Sequence, residues 1–214
     1  MKKVKVNINN LRDSVDALVD AVRVIKMGGA IIYPTDTVYG IGCDATNKEA
    51  VDRLFRIKKR PLTKPMPVIA RDMDMVKELA WFDTKTEKIL EKIWPGPVTV
   101  VLHKKHSLPD IVTADKLTVG IRVPDYKLIH YLMEVAGVPL VATSANISGE
   151  QPSHKIKDVL TQMDKELPQA DLVLDGGDLS GSEPSTVLDL SSDEPKIIRI
   201  GPVKPKKLME ILSI

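Results

Sequence analysis

The sequence predicts an α/β fold, a twisted mixed β-sheet with helices on both faces, and three observations carry that expectation. Short runs of aliphatic and β-branched residues alternate with helically spaced apolar residues along the whole chain. The connections between them are too irregular for a doubly wound parallel order, which points to a mixed sheet. The chain has 214 residues, 43% of them hydrophobic and 28% charged, enough to bury a core without a disulfide or metal staple. With no internal repeat, low-complexity stretch or long linker, one domain over residues 1–214 is expected.

The elements follow in order. Val15, Leu18, Val19, Val22 and Ile25 recur at helical spacing, and Gly28-Gly29 stops that helix. Ala30-Ile31-Ile32-Tyr33 reads as a buried strand ended by Pro34. Thr46 with Glu49 forms a candidate capping box for a helix that carries Val51, Leu54 and Phe55 and ends in Lys58-Lys59-Arg60. Pro61, Pro65 and Pro67 stiffen the loop beyond it. Val68-Ile69-Ala70 is a short strand, and Thr84 with Glu87 is a second capping box, opening a helix through Ile93. Trp94-Pro95-Gly96-Pro97 forces a turn into a strand over Val98 to Leu102. Val119 to Val123 and Pro139 to Thr143 are further strands, flanking a helix at 127–136. A weaker helix covers 155–164. Residues 172–174, 186–190 and 197–200 read as late strands, and 205–213 as a closing helix.

Composition excludes several classes of function. The formal charge is +2, from 31 basic and 29 acidic residues, and aromatics are 4%, which argues against a strongly basic nucleic-acid binder or an RNA-stacking platform. One cysteine, Cys43, rules out an internal disulfide and a multi-cysteine zinc site. It reads as a small buried hydrophobe. No apolar run approaches the roughly 20 residues of a membrane span. Lys2, Lys3 and Lys5 are not followed by an apolar segment of the secretory kind, so the cytoplasm is the expected compartment. His103 and His106 are spaced to share a metal but have no third ligand nearby in sequence; His130 and His154 are isolated. Walker-type, dinucleotide-binding and nucleophile-elbow motifs are all missing.

Four local clusters carry chemistry. Residues 34–42, Pro-Thr-Asp-Thr-Val-Tyr-Gly-Ile-Gly, follow a buried strand, where α/β proteins place ligands; they also fit an ordinary strand–turn–strand with satisfied threonines. Lys58, Lys59 and Arg60, with Lys64, either complement a helix C-terminus or present fixed cations to a polyphosphate. The proline-stiffened loop favours the second. Arg122, inside Val119-Gly120-Ile121-Arg122-Val123, lies on an exposed face or aims at an anion, and Arg199 repeats the pattern in Ile197-Ile198-Arg199-Ile200. Ser144-Ala145-Asn146 leaves a strand as a polar exit or caps a helix, and Ser185-Thr186 is a similar hydroxyl pair.

Taken together, AIIYPTDTVYGIG, LFRIKKRP with K-P-M-P, WPGPVTVVL, VGIRVP, ATSANISG, EPSTVLDL and IIRIG resemble, in order, the YrdC-type threonylcarbamoyl-adenylate synthases, over residues 12 to 201. The most specific part is Lys58-x-Arg60 with Ser144-x-Asn146. The resemblance implies a fold shared with dihydroxybutanone-phosphate synthase, an open basic cavity, and condensation of L-threonine, bicarbonate and ATP, with Mg²⁺, to threonylcarbamoyl-adenylate and pyrophosphate. The product would pass to a threonylcarbamoyl-transferase complex acting on adenosine 37 of tRNA, with at most a weak direct tRNA contact. Carried over by position, Arg60, Lys64, Thr118, Ser144 and Arg199 would contact ATP, with Lys58 and Asn146 completing the signature. Lys58 and Arg60 would stabilise charge in the reaction. Thr37, Arg122, Ser185 and the backbone of Ala142 would hold threonine. Ile69 stands where some members have histidine, and the C-terminal domain of the longer family branch is expected to be absent. Two other readings predict different features. An RNA-binding module calls for excess positive charge and stacking aromatics. A carbamoyl-phosphate-using maturation domain calls for acylphosphatase and zinc-finger segments.

Overall fold

A computed structural model describes residues 1–164, 167–180 and 183–213. Among them one mixed sheet runs through the molecule. Its strands are β1 (Lys2–Lys5), β2 (Ile31–Tyr33), β3 (Gly40–Asp44), β4 (Val68–Ile69), β5 (Ala80–Trp81), β6 (Val98–Lys104), β7 (Thr118–Arg122), β8 (Leu140–Ser144), β9 (Leu172–Asp175), β10 (Thr186–Asp189) and β11 (Lys196–Arg199). The spatial order is β1-β9-β2-β3-β8-β4-β7-β6-β10-β11, with β5 beside the far end of β6. β1 and β2 run parallel to β9, and β4 and β10 parallel to β7 and β6; the remaining neighbours are antiparallel. The mixed order agrees with the irregular connections in the sequence.

The sheet has a core on each face, because adjacent residues of its strands point to opposite sides. Ile32 belongs to the larger core, while its neighbours Ile31 and Tyr33 belong to the smaller one. The larger core is filled by Leu54 and Phe55 of α2 (Lys48–Ile57), Val76 of α3 (Met73–Leu79), Leu90 of α4 (Thr84–Ile93), Val112 of α5 (Asp110–Thr113), Val159 of α7 (Ile156–Met163) and Leu208 of α8 (Pro205–Leu212). On the opposite face α1 (Val15–Lys26) contributes Leu18, Ala21 and Ile25, and α6 (Lys127–Ala136) contributes Leu128, Ile129, Leu132 and Met133. Two helices cover that face only in part. On β7 the alternate residues Val119 and Ile121 are buried in the larger core, whereas Thr118, Gly120 and Arg122, on the other side, are part-exposed.

Both expected capping boxes move by one residue. Asn47 caps α2, its side chain accepting from the Ala50 amide at 3.0 Å, while the Thr46 hydroxyl is engaged at 2.7 Å by Asp44. Asp83 caps α4, accepting from the Thr86 amide at 2.7 Å. An amide directly after Thr46 and a carboxylate directly before Thr84 supply the acceptors. No helix starts at Ser144-Ala145-Asn146; the next is α7, so these residues cap nothing.

Candidate functional site

A cavity of about 420 Å³ opens over the half-covered face of the sheet. Its floor is Tyr33, Gly40, Ile69, Thr99, Arg122 and the Ala142–Ser144 end of β8; loop residues 35–39, Arg60, Asn146, Glu150, Pro184, Ser185 and Arg199 line its walls.

The loop from β2 to β3 is held by its own hydroxyls. Thr35 Oγ1 lies 3.0 Å from Thr37 Oγ1, donates to the Val38 carbonyl at 2.6 Å, and accepts from the Thr37 amide at 3.0 Å. Such a turn fixes Asp36 between the two threonines. The Tyr33 ring lies across β3, and the glycines there make room for it: a Cβ on Gly40 would sit 2.9 Å from the ring.

Arg122 projects from the end of β7 with its side chain 11% exposed. Its Nε donates to the Gly96 carbonyl at 2.8 Å and its Nη2 to Asp36 Oδ2 at 2.5 Å. The guanidinium thus faces the cavity as one half of an ion pair. Tyr126, at the start of α6, has its phenol pushed up to about 12 by burial and by the negative Asp36.

The other side of the cavity is built by the two-part signature. Ser144 Oγ donates to Asn146 Oδ1. The Asn146 amide nitrogen donates to the carbonyls of Ile147 at 2.9 Å and Glu150 at 2.7 Å, turning the chain sharply out of β8. Lys58 does not enter the cavity. It is 1% exposed, and its ammonium donates to the carbonyls of Ser144 at 2.5 Å and Asn146 at 2.7 Å. Its own carbonyl accepts from the Ser148 amide at 2.8 Å. Burial, reinforced by the neighbouring Arg60 guanidinium, pushes the ammonium down to about 7. The expectation of a phosphate-facing cation at Lys58 is therefore corrected: the side chain braces the Ser144–Asn146 turn from behind.

Arg60 does line the cavity. It donates to the carbonyls of Lys64 at 3.1 Å and Pro65 at 2.8 Å, which ties the proline loop to the end of α2, and burial lowers its pKa. Arg199 grips the Ser185 carbonyl through Nε at 3.0 Å and Nη2 at 2.8 Å, and the Ser185 hydroxyl meets Thr99 Oγ1 at 2.9 Å. Thr37, Ala142, Ser144, Asn146 and Ser185 all reach the same cavity. Lys64 and Thr118 do not line it: Lys64 is exposed on the loop beside Arg60, and Thr118 sits at the start of β7 opposite His103.

Sequence reasoning passed over Asp36, Thr99 and Glu150. Asp36 lies inside the loop the sequence singles out, so its signal was there. Thr99 reads as ordinary β-branched strand composition, and only the strand's alternation, with Val98 and Val100 in the larger core, puts its hydroxyl on the open face. Glu150 follows a glycine in a loop, with no local pattern to mark it. Among the described residues no group of three or more His, Cys, Asp or Glu is placed to hold a metal ion, and no helix is long and apolar enough to cross a membrane.

Comparison with known proteins places this arrangement. A family model described as telomere recombination, covering Sua5, YciO and YrdC, matches residues 23–201. A threonylcarbamoyl-AMP synthase of Yersinia enterocolitica is 37% identical over 172 residues, 78% of this chain and 89% of that protein. The structure of Pyrococcus abyssi Sua5 complexed with L-threonine superposes with a TM-score of 0.90 at 28% identity, over 99% of this chain; the chain spans 61% of that protein's length. Escherichia coli YciO superposes with a TM-score of 0.85 at 28% identity, over 97% of this chain and all of that one. A sheet of the same architecture, a family match over most of the chain, and the Lys58-x-Arg60 and Ser144-x-Asn146 elements meeting at one cavity make this chain a member of the Sua5/YciO/YrdC family.

Proposed function

We propose that the protein is an L-threonylcarbamoyladenylate synthase, joining L-threonine, bicarbonate and ATP and releasing pyrophosphate. The observation that carries the reading is that one cavity holds two kinds of anion-binding group. One is Arg122, paired with Asp36; the other is the set Arg60, Ser144, Asn146 and Arg199. A guanidinium backed by a strand suits a carboxylate, and the second group of cations and amide dipoles suits phosphates. The name of the Yersinia relative and the L-threonine in the Pyrococcus structure support the same assignment.

The chemistry asks for positioning. Threonine's amine and bicarbonate give a carbamate with loss of water. A carbamate oxygen then attacks the α-phosphorus of ATP and pyrophosphate leaves. No protein nucleophile enters the sequence. Arg60 and Arg199 would offset charge on the phosphates, magnesium would arrive as part of the MgATP substrate, and Thr37 and Ser185 would bracket the amino acid. The adenylate would serve a transferase that modifies adenosine 37 of tRNA.

Pyrophosphate release with MgATP is the direct test. It should require both L-threonine and bicarbonate. Equal release without threonine would reject the proposal.

A further inference from the structure

We propose that Asp36 is a substrate-binding, specificity-determining residue: with Arg122 it forms a two-signed receptor that takes a zwitterionic α-amino acid in preference to a simple carboxylate. The inference rests on the proposed function, since it concerns the side of the cavity assigned there to threonine.

The pair is built into the cavity wall. Arg122 and Asp36 both line it, with side chains 11% and 23% exposed; Asp36 Oδ1 is buried, so any ligand contact falls on Oδ2. The guanidinium cannot swing: Nε is on the Gly96 carbonyl and Nη2 on Asp36 Oδ2. Those two bonds leave the Nη1 hydrogens and the second Nη2 hydrogen for an incoming carboxylate. The backbone at Asp36 is held as well, because the Thr35 hydroxyl ties the turn to the Thr37 amide and the Val38 carbonyl.

Two consequences follow from the charges. A carboxylate presented alone to Arg122 meets the Asp36 anion beside the same guanidinium, and like charges at that spacing repel in a partly buried site. A carboxylate that carries an ammonium on the adjacent carbon brings its own cation to Asp36 and cancels the penalty. Each carboxylate oxygen has about two acceptor positions, so Asp36 Oδ2 can serve both Arg122 and a substrate N–H. The same acceptor suits the N–H of the carbamate after the amine has reacted, so the contact survives the chemistry. Tyr33, Ile69 and Ile129 line the same cavity and give it apolar surface.

Asp36→Asn tests this cleanly, because the amide oxygen can still accept from Arg122 Nη2 while the negative charge is gone. L-threonine, 3-hydroxybutyrate (the same skeleton without the amine) and MgATP are titrated calorimetrically into wild type and variant. The wild type should bind threonine well ahead of 3-hydroxybutyrate. In Asp36→Asn threonine affinity should fall about tenfold or more, the loss expected for a hydrogen bond to a charged group. Binding of 3-hydroxybutyrate should hold or tighten, and MgATP should stay within about twofold. Asp36→Glu should recover part of the threonine affinity. Equal weakening of threonine and 3-hydroxybutyrate would mean that Asp36 acts only by placing Arg122, and unchanged threonine affinity would remove it from recognition; either result overturns the inference and leaves the synthase reading standing. A wild type that binds MgATP but no threonine overturns both.

Discussion

A lysine with its ammonium against two backbone carbonyls and its side chain 1% exposed is a different object from a lysine in solution. Lys58 reads in the sequence as one cation of a basic run, and nothing local separates it from exposed Lys59 or from Arg60. Burial decides its role, and burial is a property of what packs over it. Its pKa, depressed to about 7 in the fold, makes the role measurable. The unfolded chain keeps a lysine protonated up to about pH 10.4, so between about pH 7 and 10 the unfolded state binds more protons than the native state and stability rises with pH. Below that window the full desolvation penalty of the cation is present. The stability gap between wild type and Lys58→Met should therefore widen in favour of wild type as pH rises from 7 to 9.5, read from urea midpoints; a flat gap would mean that the ammonium is not desolvated. Arg60 makes the complementary case, since it does face the cavity. Arg60→Ala should cost roughly 1.5–3 kcal/mol of MgATP affinity, about tenfold or more, with the fold retained. Calorimetry alongside thermal unfolding checks it, and unchanged affinity would return Arg60 to a purely structural tie with Lys64 and Pro65.

Among the elements, β3 shows why some strands escape a reading by composition. Gly40-Ile41-Gly42 contains one side chain that reports on the core, and glycine is depleted in strands. The reason for the glycines lies across the sheet. The Tyr33 ring occupies the space above Gly40, and a Cβ on Gly42 would lie 2.2 Å from the Val141 carbonyl of β8. β8 carries Ala142, Thr143 and Ser144 into the cavity, so its distance from β3 sets part of the site. Gly42→Ala should force these strands apart and destabilise by roughly 1–3 kcal/mol, the usual cost of overpacking, with a loss of MgATP affinity beyond that expected from stability alone. Equilibrium denaturation and ligand titration on the same preparation check both parts; a native-like stability would show that the strands can shift at little cost. The helices were more legible: the residues 127–136 read from apolar spacing are those of α6, because a repeat of apolar positions needs no partner to be seen.

At the scale of the whole molecule, a single sheet carries two cores. Leu54 in one and Leu132 in the other are both fully buried, on opposite faces of the same strands. Because β2, β4, β8 and β9 contribute to both layers, loss of packing in one layer disturbs strands on which the other depends. Leu54→Ala and Leu132→Ala should each cost about 2–5 kcal/mol and move the far-UV circular dichroism and tryptophan fluorescence transitions together. Separate transitions in either variant would show that the faces unfold independently.

Fold class, most helices and strands, and the family are legible in the order of the residues alone. These depend on periodicity, turn chemistry and ordered motifs, which are local and survive as text. The same order also points to the loop at 34–42, the Lys58–Arg60 run, Arg122 and the Ser144–Asn146 exit as the chemistry-bearing segments. Which of these face one another is set by packing between distant parts of the chain. The pairing of Arg122 with Asp36 spans 86 residues of chain, as does the contact of Lys58 with the Ser144 carbonyl. No local pattern encodes such contacts, because they arise where strands from distant parts of the chain are brought side by side. The same packing turned Lys58 inward and left Arg60 at the cavity, two residues of the same charge separated by one position and by the side of the backbone on which each found itself.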